Sequence, residues 1–119
     1  MKIDLRLAEV KTPFEGKLTF SAMRAKDVSS YDSPWVTQGE SEAQIGKRME
    51  EWIKEVSQKY LGQTVVGVSH ADPIWFLVAK IKNLPLTYRQ LRTQLAYPEL
   101  ASVTQVVAEV GDVVKLSCD

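Results

Sequence analysis

The segment 64–69, which reads Thr-Val-Val-Gly-Val-Ser, constrains the fold more than any other part of the chain. It is short, rich in β-branched residues and apolar on both faces, which is typical of a strand buried inside a mainly parallel sheet. Asp72 then suits a helix N-cap and Pro73 the first helical position, so an apolar helix is predicted to run to about Asn83. A buried strand that leads directly into a helix indicates an α/β fold.

Capping signals predict two further helices. Residues 41–44 read Ser-Glu-Ala-Gln, which is a capping box, and apolar residues then recur at helical spacing. This pattern predicts a long amphipathic helix over about 41–60. A second capping box at 87–90 predicts a short helix that ends near Leu95.

The two ends of the chain differ in character from its middle. Residues 1–38 contain many turn-prone residues and little periodicity, which indicates loops and one short helix near 18–26. Residues 102–110 and 112–117 are rich in β-formers and are joined by Gly-Asp, which predicts a terminal hairpin. Residues 1–119 contain no repeat or linker, so we expect a single α/β domain with a mostly parallel sheet flanked by helices.

The composition excludes several classes of function. Fifteen basic residues balance fifteen acidic ones, so no long-range field attracts nucleic acid or a membrane surface. The longest strongly apolar run, 74–79, is far shorter than the ~20 residues that span a bilayer. Cys118 is the single cysteine, so no intrachain disulfide can form, and a reducing, cytoplasmic location is expected.

His70 is the residue best placed for chemistry. It lies between the C-terminal end of the predicted strand and the start of the next helix, where ligands of open α/β sheets bind. The first amides and the dipole of that helix favour an anion, and an imidazole can donate a proton to a phosphoryl oxygen at physiological pH. The spacing alone leaves two interpretations open, namely a phosphate-binding histidine or a structural histidine at a strand end.

Four short motifs follow one another along nearly the whole chain. The first has two parts, Arg-Leu-Ala-Glu at 6–9 and Phe-Glu-Gly at 14–16. Gly-Glu-Ser stands at 39–41 ahead of the long helix, Val-Ser-His at 68–70, and Ser-Val-Thr at 102–104. In type and order these motifs resemble those of the histidine phosphatase superfamily, which is also called the phosphoglycerate-mutase-like superfamily. Val-Ser-His is similar to the motif that carries the family's second active-site histidine.

The resemblance implies a phosphoglycerate-mutase-like fold and a phosphomonoesterase or phosphomutase that acts through a phosphohistidine. In that reaction one histidine attacks phosphorus, an acidic residue protonates the leaving oxygen, and a second histidine with arginines binds the phosphoryl group. Glu9 matches the proton donor and His70 the second histidine. Ala71, where glycine is usual, is expected to hold phosphate together with His70. A small phosphorylated substrate is implied, with no metal and no cofactor.

One part of the family pattern has no counterpart in this chain. The Arg-His-Gly motif with the nucleophilic histidine is absent, because His70 is the single histidine. We therefore expect an N-terminally truncated domain that is inactive alone, with Met1 as an internal methionine or a late start. Two alternatives stay open. One is a non-catalytic module of the same fold that binds a phosphorylated ligand or a protein, and the other is a hydrolase that uses Glu9 and His70 alone.

The absent motif has a consequence for the predicted strand. In the family the first strand lies beside the strand that ends in the second histidine, so its absence leaves the backbone groups of 64–69 unpaired. Val65, Val66 and Val68 then present a flat, uncharged edge without the lysines, prolines or bulges that protect an edge. The chain is therefore expected either to self-associate through 64–69 or to be partly unfolded.

Overall fold

Three helices and a terminal hairpin make up the main regular structure of the described residues. The computed structural model describes residues 2–11, 29, 31–32 and 39–119. Within them lie a 3-10 turn at Leu5–Leu7, the helices α1 (Glu42–Lys59), α2 (Ala71–Ile81) and α3 (Tyr88–Leu91), and the strands β1 (Val107–Val110) and β2 (Val114–Ser117). The helix expected near 18–26 falls outside the described residues.

The capping box predicted at 41–44 is present and starts α1. The Ser41 hydroxyl accepts a hydrogen bond from the Gln44 amide at 3.2 Å, and the Gln44 side chain accepts one from the Ser41 amide at 2.8 Å. These bonds satisfy two N–H groups that have no partner within the helix. The apolar stripe that follows buries Ile45 and Met49, so the predicted long helix is confirmed.

The core lies where α1 packs against α2. Ile45 of α1 and Trp75, Phe76 and Ala79 of α2 are at most 2% exposed, and Leu91 of α3 is fully buried in the same cluster. Burial of each large apolar side chain contributes about 1.5–3 kcal/mol. This packing fixes the start of α2 relative to α1, and the candidate site at that end depends on it.

The helix α2 begins earlier than the sequence predicts. His70 is its N-cap, with φ −123° and ψ 166°, and Asp72 and Pro73 both lie within the first turn. Proline is tolerated there because the first N–H groups of a helix have no intrahelical partner. The prediction of Asp72 as the N-cap is therefore wrong. The physical reason is a long-range contact, because the Asp72 carboxylate accepts hydrogen bonds from two tyrosine hydroxyls.

The segment 64–69 pairs with no strand among the described residues. Val66 and Val68 are each 84% exposed. Gly67 packs so closely on Trp52 that a Cβ atom added to the glycine would lie 2.4 Å from Cη2 of the indole. The segment thus contacts α1 at Gly67, while Val66 and Val68 lie open to solvent.

The sheet that the described residues form is the terminal hairpin. Strands β1 and β2 pair antiparallel, with Val107 opposite Ser117. The predicted hairpin is confirmed, although both strands are shorter than 102–110 and 112–117. The protein is of the α/β class, as predicted, but the mostly parallel sheet does not appear in the described part of the chain. A strand of a parallel sheet pairs with at least one neighbouring strand, and the described residues supply none for 64–69.

A largely buried ion pair ties the N-terminal segment to α1. Arg48 donates through Nε to Glu40 at 2.9 Å and through Nη1 to the Arg6 carbonyl at 2.6 Å, and the Lys11 amide donates to Glu40 at 3.0 Å. The side chains of Glu40 and Arg48 are 15% and 16% exposed. Burial raises the pKa of Glu40, but the hydrogen bonds from Arg48 and Lys11 outweigh burial and place this pKa below its usual value.

Glu40→Gln is predicted to lower the free energy of unfolding near neutral pH by roughly 1–3 kcal/mol, because Arg48 loses its charged partner. Since the folded-state pKa of Glu40 is depressed, its contribution is present above the reference value of 4.5 and is lost as the pH falls below it. Thermal melts at neutral and at acidic pH measure the difference. Glu51→Gln, at an exposed position of α1, is the control. A Glu40→Gln effect of equal size at both pH values would contradict the prediction.

Candidate active site

The two residues predicted to act in catalysis lie side by side. His70 Nδ1 is 3.5 Å from Glu9 Oε2, and the two side chains are 52% and 48% exposed. At this distance the contact is an ion pair when the imidazole is protonated, and it is longer than a good hydrogen bond. The fold thus brings a carboxylate and an imidazole together at one open position.

His70 is held through its backbone at the start of α2. Its carbonyl accepts the first α2 hydrogen bond, from the Ile74 amide at 3.1 Å. The hydroxyl of the preceding Ser69 donates to the Leu7 carbonyl at 2.8 Å, which ties the chain before His70 to the chain before Glu9. These contacts fix the main chain of His70 and leave its imidazole open to solvent.

Glu9 follows the 3-10 turn and is placed by Arg48. The guanidinium donates to the Arg6 carbonyl at 2.6 Å and to the Glu9 carbonyl at 3.4 Å. The Glu9 side chain folds back, so that Oε1 accepts a hydrogen bond from the Val10 amide at 2.9 Å. One carboxylate oxygen is thereby used by the backbone, and the other faces the imidazole.

The first turn of α2 offers backbone N–H groups beside His70. The His70 side chain makes no capping hydrogen bond, the Ile74 amide bonds within the helix, and Pro73 has no N–H. The amides of Ala71 and Asp72 make no hydrogen bond to the described residues, and we refer to these two groups as the free amides. They lie at the positive end of the helix dipole, where proteins commonly bind oxyanions.

Two tyrosines that the sequence did not indicate lie next to this helix start. Tyr31 donates to Asp72 Oδ2 at 2.6 Å, and Tyr97 donates to Oδ1. Burial is the main cause that raises the pKa of both tyrosines, and the contact with Asp72 and the nearby charge of Glu9 raise both further. Both tyrosine hydroxyls thus meet the Asp72 carboxylate in the first turn of α2.

Trp75 packs in the core next to the candidate site and does not line the site. Its side chain is 2% exposed, and its indole N–H donates to the Leu95 carbonyl at 3.1 Å. Its ring meets Tyr97 edge-on at a centroid separation of 5.2 Å and Tyr88 edge-on at 5.9 Å. The aromatic packing therefore fixes the chain that carries Tyr97.

A groove of about 850 Å³ lies apart from the carboxylate–imidazole pair. It runs between residues 2–8 and 63–68, over the C-terminal half of α1, and its lining includes Trp52 and Val56 but neither Glu9 nor His70. Because the groove is mainly apolar and neither Glu9 nor His70 lines it, we assign it to the exposed surface around 64–69 and not to the candidate active site.

Within the part of the chain that the structure describes, no three His, Cys, Asp or Glu side chains are grouped to hold a metal ion. Among the same residues, none of the helices has the length and apolar character needed to cross a membrane.

Comparison with known proteins gives a match at the level of the family. The family model of the histidine phosphatase superfamily (branch 1) matches residues 1–117. No curated protein and no solved structure matches the chain. The matched range includes both Glu9 and His70.

Proposed function

Because the chain belongs to the histidine phosphatase superfamily, we propose that it provides the proton donor and a phosphate-binding histidine for phosphomonoester hydrolysis or phosphoryl transfer. The observation that carries the proposal is the contact between Glu9 and His70 beside the free amides of α2. A carboxylic acid can protonate a leaving oxygen, and an imidazole and a helix start both favour a phosphoryl group. The proposed substrate is a small phosphomonoester.

The proposed reaction consists of two displacements through a phosphohistidine. A histidine nitrogen attacks phosphorus, the bond from phosphorus to the leaving oxygen breaks, and Glu9 gives its proton to that oxygen. Water, or an acceptor alcohol in a mutase, then attacks phosphorus, the phosphorus–nitrogen bond breaks to release the histidine, and the attacking oxygen gives its proton to Glu9. His70 and the Ala71 amide hold the phosphoryl oxygens and stabilise the charge that develops on them.

The attacking histidine has to come from outside these 119 residues. The chain contains one histidine, and in the proposal this residue binds the phosphoryl group. The 119 residues alone are therefore proposed to be inactive. The single histidine also favours a second candidate, a non-catalytic module of this fold that binds a phosphorylated ligand or protein. The two candidates share phosphate binding and differ in turnover.

Inorganic phosphate is predicted to bind at the start of α2, and the NMR signals of the single imidazole can report its affinity. Ala71→Pro removes one free amide at the first helical position, where proline is tolerated, and the extended backbone of His70 suits a following proline. We expect roughly ten- to hundredfold weaker phosphate binding, the usual worth of a hydrogen bond to a charged group.

Ala71→Gly keeps the amide and is the matched control, so its phosphate affinity should stay near that of the wild type. Circular dichroism establishes that α2 forms in both variants. Equal phosphate affinities of the folded proline and glycine variants would contradict the assignment of Ala71 to phosphate binding.

The 119-residue chain is predicted to form no phosphohistidine when it is treated with a phosphoester donor, because His70 is not the nucleophile in the proposal. Phosphorus NMR of the treated chain provides the measurement. A phosphorylated His70 would assign the nucleophile to this residue and overturn the proposed roles.

In a longer chain that supplies the attacking histidine, Glu9→Gln should lower turnover by ~10²–10⁴-fold on substrates with poor leaving groups. The matched control is a substrate whose leaving group departs without a proton, for which the rate should change little. An unchanged rate on the poor leaving group would remove Glu9 from the mechanism.

We also propose that a second copy of the chain covers the exposed segment 64–69. Val66 and Val68 are open to solvent, and the backbone groups of the segment make no backbone hydrogen bond to the described residues. An uncharged, β-branched segment with free backbone groups is a template for pairing with another chain.

Val66→Lys is predicted to shift the chain towards monomer, because a lysine on an exposed strand edge opposes pairing. Size-exclusion chromatography with light scattering over a concentration series measures this shift. Val113→Lys, at a valine of the hairpin turn that is 68% exposed, is the control and should leave association unchanged. A wild-type chain that stays monomeric at every concentration would contradict the proposal.

A further inference from the structure

The carboxylate of Asp72 is held by two tyrosine hydroxyls from distant parts of the chain. Tyr31 donates to Oδ2 at 2.6 Å and Tyr97 donates to Oδ1, so each carboxylate oxygen has a donor. Aromatic residues of α2 fix both rings. Tyr31 meets Phe76 edge-on, and Tyr97 meets Trp75 edge-on, each at a centroid distance of 5.2 Å. The hydroxyl and ring contacts together hold the carboxylate in one position.

An aspartate in this position has other donors within its own helix turn. A carboxylate in the first turn is attracted to the positive end of the dipole and can accept hydrogen bonds from amides there. The free amides of Ala71 and Asp72 lie at that end beside His70, and no side chain in the described part of the chain caps them. An unrestrained Asp72 carboxylate would therefore compete with an external oxyanion for the same donors.

We propose that Tyr31 and Tyr97 are positioning residues that hold the Asp72 carboxylate off the free amides and so keep the site open to an oxyanion. The inference rests on the proposed function, because it needs a phosphoryl group at His70 and Ala71. Burial and the contact with Asp72 raise the pKa of both tyrosines, so both hydroxyls remain protonated and able to donate at physiological pH.

Tyr97 is the better of the two tyrosines for a test. It is 52% exposed, and phenylalanine in its place keeps the ring against Trp75 while removing only the hydroxyl. The carboxylate of Asp72 then loses one of its two donors and gains freedom to turn towards the amides. The effect should be partial, because Tyr31 still holds the other oxygen.

The experiment measures binding of inorganic phosphate to the full chain through the imidazole signals of His70. Tyr97→Phe is expected to weaken binding by roughly two- to fivefold, the usual worth of a charge at a helix end. Asp72→Asn in the Tyr97→Phe background should restore the lost affinity, because a neutral amide competes less for the free amides. Tyr60→Phe is the control, since its hydroxyl accepts from Lys2 and touches no part of the site.

Recovery supports the inference, with an unchanged Tyr60→Phe control, when Asp72→Asn raises phosphate affinity more in the Tyr97→Phe background than in the wild type. An equal gain in both backgrounds overturns the inference, because loss of the negative charge alone favours an anion. If Tyr97→Phe binds phosphate as tightly as the wild type, this inference is overturned and the proposed function is not affected. A loss of affinity that persists in the double variant has the same consequence. A wild-type chain whose imidazole signals do not respond to phosphate overturns the proposed phosphate site and the inference with it.

Discussion

The arrangement of the candidate site depends on the side chain of Arg48. From the middle of α1 it donates two N–H groups to Glu40 and reaches two carbonyls of the N-terminal segment, at Arg6 and Glu9. A guanidinium provides five donors in a planar fork and stays charged, which an ammonium group cannot reproduce. Because α1 also packs on α2 through Ile45, a single helix sets the position of Glu9 relative to the start of α2.

The parts of the fold that can be predicted from the sequence are those determined by close neighbours in the chain. The capping box at Ser41 and the terminal hairpin are formed by groups a few residues apart, and both are present. The segment 64–69 has the composition of a buried strand, but burial depends on partners that its own residues do not specify. The capping box predicted at 87–90 does not form, because the Thr87 side chain makes no capping hydrogen bond, and α3 ends at Leu91 and not at Leu95. The Tyr88 amide donates instead to Glu42 of α1, a partner that the local pattern does not show.

In the candidate site, too, some residues can be predicted from the sequence and others cannot. His70 and Glu9 could be singled out, because the position of His70 between a predicted strand and a predicted helix marks one of them and the family motifs mark both. The tyrosines could not, because a tyrosine in an irregular segment carries no sign of the carboxylate that it will meet. Asp72 shows the limit of local patterns, since its sequence context is that of an N-cap, whereas Tyr31 and Tyr97 draw its side chain into a different set of contacts.

Pro73 limits how many backbone groups the start of α2 can offer. With no N–H at this residue and the Ile74 amide engaged within the helix, two amides of this turn have no partner among the described residues. Any residue type except proline supplies such an amide, so the backbone groups of the proposed phosphate site tolerate substitution. The proposed side-chain roles instead depend on the identity of Glu9 and His70. In the proposed site, a change at Glu9 would therefore remove the proton donor and leave the phosphate-binding groups in place.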